Sequence, residues 1–108
     1  MVASATQDLD AVFSALADAT RRAIVERLLR AGELSAGDIA RPFRISSPAI
    51  SRHLRVLEEA GIIERRVDRQ WRYVRLQLQA LAVAQTWLAG QHQDGIGARS
   101  KPSLPAGP

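Results

Sequence analysis

Cysteine is missing altogether from this 108-residue chain. That excludes disulfides, a thiolate metal site and a cysteine nucleophile. Missing too is any run of about 18 apolar residues, the length a membrane-spanning helix needs. The opening "MVASATQDLD" has neither the basic start nor the apolar stretch of a secretory signal. The expectation from these absences is a cytoplasmic protein with no membrane partner. No internal repeat is visible, and the length corresponds to one domain, with room for a tail.

What is present is a globular balance of 46% hydrophobic and 24% charged residues, enough for a small core. The net charge is +4, and its distribution is more informative than its sum. Residues 41–75 hold nine arginines and four acids, a charge of +5, while the rest holds six cations and seven acids, a charge of −1. A positive block of this kind suits a phosphate backbone, although a solvated basic surface has the same composition.

The apolar spacing is helical as far as residue 60. Leu9, Val12, Phe13 and Leu16 make the stripe of a first helix. Asp18 precedes a second, with Ile24, Val25, Leu28 and Leu29 as its apolar face and Gly32 as its stop. In "ELSAGDIARPF", Ser35 is placed to cap a short third helix, with Asp38 three residues on and Ile39 and Phe43 inward. Ser47 and Pro48 then suit the N-cap and first position of a fourth helix over 47–60, whose buried face is Ile50, Leu54 and Leu57 and which ends at Gly61.

Beyond Gly61 the period changes to two. "IIERRV" and "WRYVRLQ" read as strands of a hairpin over 62–76 with "VDRQ" at the tip, which lacks the usual glycine. Residues 79–89 return to a helical pattern, with Leu81, Ala84, Trp87 and Leu88 on one side. The domain expected is 8–89, between a flexible 1–7 and a disordered 90–108, where four glycines and three prolines fall in 19 residues. Four helices, two strands and a last helix, mainly α with a β-hairpin wing, describe a winged helix-turn-helix.

"FSALADATRRAIVERLLRAGELSAGDIA" and "ISSPAISRHLRVLEEAGIIERRVDRQWRYVRL" resemble an ArsR-type winged-helix transcriptional repressor over roughly residues 8–89. The resemblance implies a homodimer that binds operator DNA and releases it on binding an inducer, often a metal or metalloid. Metal-sensing relatives carry cysteines in an "ELCVCDL"-like third helix, where this chain has "ELSAGDIA". Others use Asp and His ligands on the last helix, where this chain offers only His92 and Asp94, too few for a tetrahedral site. The chain therefore resembles the branch without recognisable metal ligands. No metal or cofactor is expected, and the inducer cannot be read. Ala19 stands where a proline is common before "TRR".

On the wheel of the fourth helix, Pro48, Ala49, Arg52 and Arg55 lie opposite the apolar face, with Ser51 and His53 on the flanks. An anchored face backing a polar one suits entry into the major groove. Arg52 is the candidate for a bidentate guanine contact, and Ser46 and Ser47 are candidates for phosphate. His53 either donates to DNA or sits at the boundary bonded to backbone. The wing adds Arg65, Arg66, Arg69, Gln70 and Arg72. Arg66 and Arg69 are expected on the DNA backbone, while Trp71 and Tyr73 read as packing residues. Arg21 and Arg22 read as structural partners of acids such as Asp18. Leu9, Val12, Phe13 and Leu16 with Leu81, Trp87 and Leu88 exceed what so small a core covers, which points to a dimer interface. A Ser51/His53 hydrolase fails on geometry, since residues two apart point about 200° apart on a helix, and no Gly-x-Ser-x-Gly elbow exists. A winged helix used only for protein contact is the remaining alternative.

Overall fold

The computed structural model describes residues 2–92, with side chains from Leu9 onward. Five helices and three strands follow in the order α1 (Val2–Leu16), α2 (Ala19–Ala31), β1 (Glu33–Ser35), α3 (Ala36–Ala40), α4 (Ser47–Glu59), β2 (Ile63–Asp68), β3 (Trp71–Leu76) and α5 (Leu78–Gln91). Residues 93–108, most of the stretch in which the sequence suggests a disordered tail, lie outside the described residues, as do the side chains of the first eight.

The caps fix the register of the helices. The carboxylate of Asp18 accepts the backbone N–H of Arg21 at the start of α2, at 3.0 Å. Gly32, at φ +86°, closes the same helix by donating to the carbonyl of Leu28, in a conformation glycine adopts without a Cβ clash. Ser35 Oγ accepts the N–H of Asp38, as the sequence suggests. The fourth helix differs by one residue: its cap is Ser46, whose Oγ accepts the N–H of Ala49 at 3.2 Å, while Ser47 is the first helical residue. With two serines in a row before a proline, either register puts a hydroxyl at the cap. At its other end, Gly61 at φ +77° donates to Glu58 and Ile62 donates to Leu57, the paired bonds of a Schellman ending.

The strands form one antiparallel sheet in the order β1-β3-β2. β1 is not legible as a strand from the sequence: three residues merge into the third helical segment, and only pairing with β3 extends them. β2 and β3 pair from Ile63↔Leu76 to Asp68↔Trp71, so the turn holds only Arg69 and Gln70. Arg69 adopts φ +62°, a left-handed conformation that glycine would take without strain.

Most of the core follows the helical spacing, with Val12, Ile24, Val25, Leu28, Ile39, Ile50, Leu54, Leu57 and Ala84, and it is completed by Ala15, Ala60, Ile62, Ile63 and Val74. Leu29 is a correction, for it is 56% exposed. It lies one position past Leu28, and about 100° of rotation carries it off the buried stripe. Val12 is fully buried in the core, whereas Phe13 on α1 and Trp87 and Leu88 on α5 remain 37%, 45% and 53% exposed.

Candidate nucleic-acid interface

The face of α4 opposite the core is polar. Ile50, Leu54 and Leu57 anchor the helix, and Ser51, Arg52 and Arg55 are exposed beyond them. Among the described residues neither Arg52 nor Arg55 has a carboxylate or hydrogen-bond partner. Two uncommitted guanidiniums on a rigid, well-anchored helix are available for an external acceptor.

The wing arginines divide by pleat. Alternate strand residues point to opposite faces, and the register puts Arg65 with Val74 and Val67 with Arg72 on the face toward the core and α4. Glu64, Arg66 and Asp68, with Arg75, Tyr73 and Trp71, occupy the other face, beside Glu33 and Ser35 of β1. On the inner face, Arg65 and Arg72 line a groove of about 390 Å³ together with Ser47, Ser51, Ile50 and Gly37. Two cations and two hydroxyls therefore converge between the start of α4 and the wing. The Nε of Arg65 also forms an ion pair with Glu58 at the end of α4, 3.1 Å from its Oε1.

The outer face is a closed ionic ladder. Arg66 donates twice to Glu33, at 2.9 and 3.0 Å, approaches Asp68 at 4.0 Å and stacks 4.6 Å above the ring of Tyr73. Its hydrogen bond holds the Glu33 carboxyl below the usual carboxylate value, helped by the charges of Arg66 and Arg75 and opposed by partial burial. Arg75 and Gln77 both donate to Glu64. Arg66, expected on the DNA backbone, is thus engaged within the chain, while Arg69 and Gln70 are exposed at the tip.

His53 turns away from the groove. Its Nδ1 lies 3.3 Å from Nη1 of Arg21 and 3.8 Å from Oδ2 of Asp18, on the side of α4 facing the start of α2. Its partners among the described residues are these side chains rather than backbone. Asp18 sits below the ordinary carboxylate value, chiefly because it accepts the N–H of Arg21, with the charges of His53 and Arg21 adding to this and desolvation opposing it. Arg21 and Arg22 are structural: Arg21 Nε donates to Ala15 O at 2.6 Å and Arg22 Nη1 to Leu16 O at 2.7 Å. These are terminal carbonyls of α1, which no intrahelical donor reaches. Ser51 faces the wing groove while His53 faces Asp18, so the two do not form a nucleophile–base pair.

Composition alone does not single out Glu33 or Glu58. The signal for Glu33 lies in the strand alternation, and it becomes readable only once β1 is assigned. Among the described residues no group of three or more His, Cys, Asp or Glu side chains gathers at metal-binding spacing, and no helix is long and apolar enough to cross a membrane.

Residues 16–66 match a family described as a helix-turn-helix domain. The chain is 42% identical over 77 residues to the transcriptional repressor SdpR of Bacillus subtilis, an alignment covering 71% of this chain and 84% of that protein. It is 45% identical over 65 residues to the arsenic resistance transcriptional regulator ArsR1 of Pseudomonas putida, covering 60% of this chain and 51% of the relative, about half its length. A crystal structure of an ArsR family transcriptional regulator superposes with a TM-score of 0.76 at 32% identity, covering 82% of this chain and 90% of that one. Anchored helix, basic groove, wing and relatives agree: the chain belongs to the ArsR family of winged helix-turn-helix transcriptional regulators.

Proposed function

We propose that this protein is a dimeric repressor that binds an inverted-repeat DNA site, with α4 in the major groove and the wing beside it. The observation that carries the reading is the convergence of Ser47, Ser51, Arg65 and Arg72 in one groove next to the uncommitted Arg52 and Arg55. Arg52 reads a guanine edge through N7 and O6. Arg72, Arg65 and the serines hold phosphates, and Arg69 reaches the backbone or the adjacent minor groove from the wing tip. Repression follows the relative SdpR, whose name is that of a repressor.

Dimerisation is supported by the surface of α1 and α5. Phe13 and Trp87 meet edge to face with ring centroids 5.9 Å apart, and the pair with Leu88 leaves an apolar patch that a monomer keeps in water. A two-fold copy seated there sets two α4 helices about one DNA turn, ~34 Å, apart. Selection of bound duplexes from random DNA tests the reading. The expected product is an inverted repeat bound in the nanomolar range with steep salt dependence. Recovery of no preferred sequence would favour a protein-contact module instead.

A further inference from the structure

We propose that the groove between the end of α4, the start of β2 and the start of α5 binds a small organic cation, and that its occupancy strengthens DNA binding by releasing Arg65. The groove encloses about 470 Å³, and its lining includes Glu58, Gly61, Ile63, Gln77, Gln79 and Val83. That volume is in the range that holds a small ligand. Among the described residues Glu58 is the only charged side chain in the lining, so the favoured charge is positive. The C-terminal end of α4 borders the same groove and adds the negative end of a helix dipole. Gln77 donates its amide nitrogen to Glu64 at 2.8 Å, which leaves its carbonyl oxygen to accept an N–H. Ala80 and Val83 supply apolar wall. The chemistry that fits is an ammonium or amidinium on an apolar body.

Glu58 links this groove to the opposite one. Its Oε1 lies 3.1 Å from Arg65 Nε in an ion pair, and Arg65 also lines the groove that holds Ser47, Ser51 and Arg72. One guanidinium lies between two clefts. A cation on Glu58 frees Arg65 for phosphate, and a phosphate on Arg65 frees Glu58 for the cation. Linkage makes the two effects equal, so the cation acts with DNA and not against it. Both side chains are partly exposed, so the coupling is about two- to fivefold in affinity.

The cation half stands independently, while the coupling rests on the proposed DNA binding. The probe is benzylammonium added to the full ¹⁵N-labelled chain. Saturable amide shifts at Gly61, Gln79 and Val83, accompanied by the Arg65 Nε signal and abolished in Glu58→Gln, are expected. No saturable shift at millimolar probe, or shifts unchanged in Glu58→Gln, would overturn the site. In polarisation titrations against the selected duplex at matched ionic strength, benzylammonium should tighten wild-type binding about two- to fivefold, and Glu58→Gln should bind more tightly without probe and ignore it. Equal responses in both proteins would overturn the coupling. Saturable, Glu58-dependent shifts in a protein that prefers no duplex would sustain the site and reject the DNA reading.

Discussion

Arg65 and Arg66 are neighbours in sequence with opposite surroundings. Arg65 faces the α4 groove, and Arg66 is locked to Glu33 and Tyr73 on the outer face. Their charges are identical, so composition could not separate them; the strand register does. A second consequence at this scale concerns acid. Asp18 and Glu33 both have lowered folded values. Such carboxylates contribute stability that is present above their ordinary range near pH 4 and lost as pH falls through the lowered values. Asp18→Asn keeps a capping oxygen without the titration. Its urea midpoint should therefore fall less than that of wild type between pH 5 and pH 3, the remaining slope belonging in part to Glu33. An unchanged slope would mean that the Asp18 carboxylate is not stabilised in the native state.

At the scale of elements, the helices were legible because each carries its own instructions. The stripe of Ile50, Leu54 and Leu57, a serine cap and Gly61 fix α4 to within one residue. Leu54→Ala should cost about 2–5 kcal/mol in denaturant unfolding, because Leu54 is buried between the helices and the wing. β1 was not legible, since a three-residue strand carries no period of its own and depends on Val74 and its neighbours for extension. The same holds for the groove residues: Ser51 and Arg72 meet only once the hairpin folds back on α4. The wing tip gives a further prediction. Arg69 holds a φ of +62° that costs a non-glycine residue roughly 1 kcal/mol. Arg69→Gly should raise the melting temperature slightly or leave it unchanged while weakening DNA binding. A fall in melting temperature would show that the Arg69 side chain stabilises the turn.

For the whole molecule, the basic block resolves into two surfaces. One is a groove and helix face where, among the described residues, Arg52, Arg55 and Arg72 have no carboxylate partner and Arg65 pairs with Glu58, and the other is an outer sheet face whose cations are matched by Glu33, Glu64 and Asp68. The apolar excess of α1 and α5 was legible as a total, but its distribution was not. Val12 belongs to the core of the chain, and the available patch is Phe13, Trp87 and Leu88. Leu88→Glu should shift sedimentation toward the monomer and weaken operator binding, because a like pair of charges would face each other across a two-fold axis; an unchanged sedimentation coefficient would place the interface elsewhere.

The central claim is that DNA meets α4 and the inner face of the wing. The salt dependence of binding to the selected duplex, measured for wild type, Arg72→Ala and Arg66→Ala, tests it most directly. Each phosphate that a side chain neutralises adds about 1 to the steepness of the log–log slope. Arg72→Ala should therefore make the slope shallower, and Arg66→Ala should leave it nearly unchanged. A shallower slope for Arg66→Ala with Arg72→Ala unaffected would put DNA on the opposite face of the sheet and contradict the account.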